Sequence, residues 1–169
     1  MRSMAAALAA VALLAGCGAF SKTGHLEAGS ALVCAPAGVD RDVLFGVGVH
    51  NTGDNPVTVT GIEVGSSINV ADSTLRLDVV GPDWPGAVYN PADSEAEQAS
   101  IDALLARLVD PKLAQIGPGA YGNFIVTMTP VDAALPAVID SVRIDYVQGG
   151  RHQNVTSKMT LTLAPGATC

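Results

Sequence analysis

The chain has 169 residues and a formal net charge of −7, with 16 acidic side chains against 9 basic ones. An acidic chain is poorly suited to the phosphate backbone of nucleic acid or to an anionic lipid surface. Aromatic residues make up only 4% of the chain, which argues against a stacking platform for single strands. Nucleic acid is therefore not an expected partner, and the length suits one ordinary domain.

Residues 1–16 are typical of an export signal. Arg2 is followed by an apolar run from Met4 to Leu14, which has the length of a signal-peptide core and is too short to span a bilayer as a helix. Two small residues, Ala15 and Gly16, then precede Cys17.

The order Leu14-Ala15-Gly16-Cys17 resembles the lipobox of bacterial lipoproteins. The resemblance implies that the signal is cut before Cys17, that the Cys17 thiol carries diacylglycerol, and that the new amine is often acylated. It also implies a lipid anchor in the cell membrane, with residues 17–30 as a tether on the extracytoplasmic face. The alternative is an ordinary secretory signal cut near Ala19, with Cys17 discarded.

Two further cysteines, Cys34 and Cys169, lie in the expected domain of residues 31–169. An exported protein meets oxidising conditions, in which a cysteine pair usually forms a disulfide. The sequence therefore predicts a bond between the start of the domain and its last residue. The alternative is a pair of free or metal-binding thiols, but no histidine or third cysteine lies at ligand spacing beside either one.

Short segments with β-strand character follow one another through most of the chain. The clearest is 43–50, where Val43, Phe45, Val47 and Val49 alternate with the opposite face. A turn rich in Asn and Gly follows at 51–56, and a second hairpin turns at 148–151. Strands are predicted at 31–35, 43–50, 57–64, 67–71, 74–80, 121–129, 138–147 and 153–163.

One helix, at about 92–109, interrupts the strands. Ser94 and Glu97 fit a capping box at its start. Ile101, Leu104, Leu105 and Leu108 follow the helical period on one face. Such a stripe predicts that the helix covers the open end of a sheet, and the alternative is that it forms a groove for a partner.

The segment from Val47 to Val57, which contains His50-Asn51-Thr52-Gly53, resembles the strand, turn and strand of immunoglobulin-like domains in bacterial exported proteins. The last hairpin, Ser141 to Leu163, fits the final two strands of that fold. The resemblance implies a mainly β protein, an immunoglobulin-like antiparallel β-sandwich with one inserted amphipathic helix. The Cys-Trp-Cys core of immunoglobulins is absent from this sequence.

No catalytic arrangement is evident in the sequence. His25 falls in the predicted tether, His50 at a strand end and His152 at the opposite hairpin turn, none at metal-ligand spacing. Asp40, Asp42 and Asp54 lack the calcium-loop pattern. We therefore expect neither enzymatic activity nor a cofactor or metal.

The sole tryptophan, Trp84, lies with Tyr89 in a predicted loop from Pro82 to Pro91, and this loop together with the helix is the expected interaction surface. The alternative is that Trp84 covers one end of the sandwich. The expected function is that of a membrane-anchored binding or adaptor module for an envelope protein or other envelope component.

The competing hypothesis is a lipoprotein that binds a small ligand or metal between helix and sheet, for example a copper-chaperone-like sandwich. Such chaperones use a His-x-Met pair, which this sequence lacks. Met128 and Met159 fall on predicted core faces, where methionine is common.

Overall fold

The computed structural model describes residues 24–37, 41–79, 86–166 and 169. Within these ranges the chain forms thirteen strands, one α-helix and one short 3-10 turn at Pro111–Leu113. The strands are β1 (Leu26–Ala28), β2 (Ser30–Pro36), β3 (Asp42–Asn51), β4 (Val57–Val64), β5 (Ser67–Ile68), β6 (Val70–Asp78), β7 (Gly86–Asn90), β8 (Gln115–Ile116), β9 (Tyr121–Pro130), β10 (Ala137–Ile139), β11 (Val142–Gln148), β12 (Arg151–Thr156) and β13 (Lys158–Ala164), and the helix is α1 (Glu95–Arg107).

The strands form two packed layers. One layer has the order β1-β3-β9-β6, with β7 also paired to β3. The other contains β12-β11-β4-β8 together with β2-β13-β10-β5, in which β2 runs parallel to β13. Strands A-B-E-D against C-F-G define an immunoglobulin-like sandwich, and here β1-β3-β9-β6 faces β4-β11-β12. The predicted mainly β, immunoglobulin-like antiparallel sandwich with one inserted helix is confirmed.

The core lies between the layers and follows from strand alternation. Phe45 and Val47 of β3 and Phe124 of β9 are fully buried from one side, and Ile144 and Tyr146 of β11 meet them from the other. Met159 is fully buried and Met128 nearly so, as their positions on core faces predicted. Alternate residues of a strand point to opposite faces, so the second face of β3 needs a separate cover.

The helix α1 supplies part of that cover. Ile101 is 5% exposed and packs with Leu44 of β3 and Ile125 of β9, both on the outer face of the sheet. The prediction that the helix closes the open end of a sheet is therefore wrong, because two outward apolar side chains on the central strands draw it onto the face. No helix among the described residues is long and apolar enough to cross a bilayer.

The predicted last hairpin is broken into four strands. Between β12 and β13, Ser157 is buried, and its Oγ accepts a hydrogen bond from the Val142 amide at 2.9 Å. The Ser157 amide in turn donates to the Val142 oxygen at 2.8 Å. This junction turns the chain from the β11 sheet to the β10 sheet, so the predicted strands 138–147 and 153–163 are each two strands.

The assignment of residues 17–30 to a tether needs a correction in its described part. Residues 26–28 form β1 against the end of β3, and Leu26 is buried in the core. His25, expected in the tether, accepts hydrogen bonds at its backbone oxygen from Thr52. A three-residue strand with one buried leucine is too short to produce a recognisable pattern, which is why the sequence did not reveal it.

One end of the sandwich is held by buried side-chain amides, and we call it the amide end. Asn51 is fully buried, and its Nδ2 lies within 3.0 Å of the backbone oxygens of Asn55, Ile116 and Gly117. Its Oδ1 accepts from the Gln148 side chain at 3.0 Å. These bonds join three segments that lie far apart in the chain.

Candidate functional site

A concave surface lies between β7 and α1, and we call it the helix groove. Its cavity volume is about 490 Å³. One wall consists of residues 87–89 of β7, and the other of Ala96, Glu97, Ser100 and Ile101 of the helix, with Ala92 and Asp93 joining them. Small and apolar side chains dominate this lining, as in many ligand sites.

The strand side of the groove is an edge of the sheet. β7 pairs antiparallel with β3, from Asp42 opposite Asn90 to Gly46 opposite Gly86, and no other described strand pairs with it. Three consecutive residues, 87–89, line the cavity. Successive side chains point to opposite faces, so a cavity that touches all three lies along the edge of the strand.

The start of the helix is set by local hydrogen bonds. Ser94 is the N-cap, its Oγ accepts from the Glu97 amide at 3.3 Å, and its hydroxyl donates to the Glu97 carboxylate at 3.1 Å. The Ser94 half of the predicted capping box is therefore present, whereas the Glu97 carboxylate accepts from the Ser94 hydroxyl and not from the Ser94 amide. The helix is also shorter than the predicted 92–109. The Gln98 side chain bonds both to the Ala92 amide and to the Asn90 side chain, which fixes the connection from β7 to the helix.

Tyr89 is held in place at the mouth of the groove. Its hydroxyl donates to the Pro36 oxygen at 3.1 Å, and the Arg41 guanidinium lies 5.9 Å from its ring centroid, within cation–π range. Arg41 also forms an ion pair with Asp93. Tyr89, one of the two aromatics of the expected interaction surface, therefore lies in the lining of the groove.

The far end of the helix is anchored to β6. Arg107 forms an ion pair with Asp78 at 2.9 Å, and Asp78 is only 2% exposed. The hydrogen bond with Asp78 raises the pKa of Arg107 above its ordinary value. Desolvation by burial lowers this pKa in part, and the negative charge of Asp78 adds to the increase. Leu77 and Val109 exchange two backbone hydrogen bonds at 3.0 Å, which makes the helix a fixed wall of the groove.

The charge around the groove is negative. Asp93 and Glu97 line it, and between Pro91 and Ala106 the sequence contains four carboxylates and no lysine or arginine. Arg41 neutralises Asp93 only. The helix N-terminus tolerates these carboxylates because its unsatisfied amides carry partial positive charge.

Of the other predicted site residues, Cys34 and Cys169 form the expected disulfide, with Cα atoms 5.9 Å apart. Cys17 and Trp84 lie outside the described residues, as does Asp40. The predicted interaction segment was a loop from Pro82 to Pro91, but residues 86–90 form strand β7. Its pattern, Gly-Ala-Val-Tyr-Asn, is too short and too lightly apolar to distinguish a strand from a loop.

The histidines do not come together. His50 stacks on Tyr121 with ring centroids 4.1 Å apart, next to Glu27 on the outer face of the sheet, where a shallow cavity of about 250 Å³ lies. His25 and His152 lie elsewhere at the amide end. Among the described residues, no group of three histidine, cysteine, aspartate or glutamate side chains could hold a metal ion.

An exposed apolar cluster, separate from the helix groove, lies at the opposite end of the sandwich from the amide end. Ile68, Val131 and Leu135 are all exposed, and Asn69 binds the loop that carries two of them through its side chain and its backbone oxygen. The helix groove is the better candidate because it is concave and has a charged flank.

No family model matches the chain, and no curated protein matches it. Among solved structures, it is similar to the VesB protease of Vibrio cholerae, at 12% identity and a TM-score of 0.43 over 81% of this chain. The match covers 31% of that protease chain. It is also similar to the PapD-like domain 7 of human CEP192, at 7% identity and a TM-score of 0.46 over 99% of this chain and 100% of that chain. Neither likeness is close enough to carry an argument about activity.

Proposed function

We propose that this protein is a lipid-anchored, extracytoplasmic binding module that engages an envelope component through the helix groove. The export signal and the lipobox-like segment ending in Cys17 support the anchor. The disulfide between Cys34 and Cys169 supports an oxidising compartment, because such bonds persist outside the cytoplasm. The groove supports binding, and it is the observation on which the proposal depends.

The two ends of the domain suit this arrangement. The described chain begins at the amide end, where the His25 oxygen accepts from the Thr52 amide at 2.8 Å. The helix groove begins at the other end of β3, next to Arg41 and Asn90. A ten-residue strand spans about 30 Å at ~3.4 Å per residue. A tether attached at the amide end would therefore leave the groove directed away from the anchor.

The anchor is tested by membrane fractionation of a Cys17→Ala variant in the native host. We expect the wild type in the membrane fraction with a lipidated peptide that begins at Cys17, and the variant released from the membrane. A Ser21→Ala variant serves as the control, because it changes a nearby residue in the same segment but removes no thiol and should leave fractionation unchanged. A Cys17→Ala protein that still fractionates with the membrane would contradict the anchor.

Binding is tested by placing a photoreactive benzophenone side chain at position 96 in intact cells. Ala96 lines the groove, whereas Ala99 is an exposed position on the same helix outside its lining. We expect one recurrent, identifiable crosslinked partner from position 96 and none of that species from position 99. Equal adducts from both positions would remove the support for the groove as the binding surface.

A second candidate is a small-ligand carrier, which the cavity volume favours. About 490 Å³ lies within the range of roughly 300 to 1,000 Å³ usual for ligand pockets. Native mass spectrometry of protein purified from its host would then show a retained ligand, and Ala96→Arg would abolish it. An unliganded mass in every preparation would count against this reading.

A further inference from the structure

The helix groove has an uncovered strand edge as one of its borders. β7 uses one edge to pair with β3, and the described chain supplies no strand for its other edge. Such an edge presents alternate backbone N–H and C=O groups that can pair with another chain. A five-residue edge offers such groups over about 17 Å at ~3.4 Å per residue, which is enough for a short peptide.

The side chains beside that edge suit one kind of segment. Ala92 and Ala96 are small and share the groove lining with Val88 and Ile101, which leaves apolar space that fits an aliphatic side chain. Asp93 and Glu97 lie in the same lining, and only Arg41 offsets them nearby. Charge complementarity therefore favours lysine or arginine next to the apolar side chain.

We propose that the helix groove binds an extended, basic and apolar peptide segment, which adds as a strand to the open edge of β7. This proposal rests on the proposed function, since it names the class of partner for the same surface. Main-chain hydrogen bonds to β7 provide affinity that does not depend on sequence, and the pocket selects the side chain that enters it. Arg41 already pairs with Asp93, whereas Glu97 has no ion-pair partner among the described residues, so the net negative charge of the lining selects for positive charge.

A segment of protein fits this site better than a compact small molecule does. The cavity borders three consecutive residues of a strand, so an extended segment bound in it can lie along that strand. It ends at the connection that Gln98 fixes through Asn90 and Ala92. A peptide that lies along the strand can form backbone hydrogen bonds with the β7 edge and also place a side chain in the apolar space. A compact small molecule can fill only the apolar space.

The test uses the domain as it is secreted, with its disulfide formed, and three short synthetic peptides. The first alternates lysine with valine or leucine, the second replaces each lysine with glutamate, and the third N-methylates alternate amides of the first. We expect the lysine peptide to bind, with affinity that falls as salt is raised. The other two should bind at least about tenfold more weakly, which corresponds to about 1.4 kcal/mol.

Two variants and a structural readout locate the binding. Ala96→Arg places a bulky cation in the groove and should abolish binding of the lysine peptide. Ala99→Arg adds the same charge to the same helix outside the lining and should leave most of the binding intact. Hydrogen exchange should show new protection of β7 amides when the peptide is bound, which a purely ionic contact would not produce.

Equal binding of the lysine and glutamate peptides, or of the N-methylated peptide, would overturn the proposal. Loss of binding that is the same in both variants would overturn it too, as would no binding of any peptide. The proposed function fails separately. If no peptide binds but the crosslinker at position 96 still captures one identified non-peptide component in cells, the binding module stands and the peptide class is wrong.

Discussion

The amide end and the helix end of this sandwich are built from different interactions. At the amide end, Asn51 and Gln148 are buried and their polar atoms are satisfied by segments far apart in the chain. At the helix end, an apolar stripe holds α1 on the sheet, and a covalent bond ties the C-terminus to β2. A satisfied buried network fixes one geometry and leaves nothing to offer a partner. The helix end keeps an open groove, which is why we propose that binding takes place at this end.

The disulfide should make the largest contribution to stability. It closes a span of 135 residues, and in the chain-entropy model a loop of that length stabilises by about 4 to 5 kcal/mol. We expect the double variant Cys34→Ser, Cys169→Ser to lower the free energy of unfolding by about that amount in urea. Reduction of the wild type should reproduce the loss and should have no effect on the double variant. If the free energy of unfolding of the double variant were close to that of the wild type, the disulfide would not stabilise the helix end.

Asn51→Ala should have the next largest effect, about 3 kcal/mol, because it leaves several buried backbone groups and the Gln148 amide without partners. Urea unfolding measures it. The control is Asn154→Ala, an exposed asparagine on β12, for which a change of less than about 0.5 kcal/mol is expected. If the two variants unfolded alike, the contrast between the two ends would be lost.

Ile101→Ala should cost about 2 kcal/mol, at the lower limit for a buried isoleucine, because only Leu44 and Ile125 complete its cluster among the buried residues. The loss should be local. Hydrogen exchange should show faster exchange of the α1 amides while the amides of β9 keep their protection. Leu113→Ala, at an exposed leucine in the 3-10 turn, is the matched control with little expected change. Equal exchange in both elements would mean that the helix unfolds only with the whole domain.

The smallest effect concerns pH at the amide end. Burial raises the pKa of Tyr146, since it disfavours the phenolate, and a hydrogen bond with the Leu26 backbone opposes this in part. The unfolded state then ionises first as pH rises above about 10, so stability is complete below that pH and falls above it. Tyr146→Phe should lose under about 1 kcal/mol at neutral pH and should show a shallower decline in alkali. Urea unfolding of the wild type and of Tyr146→Phe at neutral pH and above pH ~10 tests this. If the free energy of unfolding fell equally with pH in the two proteins, the prediction would be contradicted.

The strands with long alternating patterns were predictable, and two of the short ones were not. The alternation from Val43 to Val49 predicted β3 and its buried face, and Ser94 with Glu97 predicted the start of the helix. The strands β1 and β7 carry too few side chains for a period to stand out. A site between helix and sheet was among the hypotheses, but its strand wall was missed for the same reason, because that wall is β7.

The sequence also could not predict which face of the sheet the helix covers. The stripe from Ile101 to Leu108 indicates that the helix packs on something, but it does not indicate what. The outward residues Leu44 and Ile125 that receive it lie on β3 and β9, which are adjacent only after the sheet forms. Asn51 is a similar case. The sequence predicts that it lies in a turn, whereas in the fold its buried side chain joins segments that lie far apart in the chain.

The sequence by itself determined the export signal pattern, the cysteine pair, the mainly β class and the one capped helix, since each of these depends on neighbours in the chain. Only the tertiary structure decided which strands meet, where the helix lies and that no described strand pairs with the second edge of β7. Those features depend on contacts between residues far apart in sequence, whose geometry is set by the packing of the two sheets. The helix groove is a product of that packing.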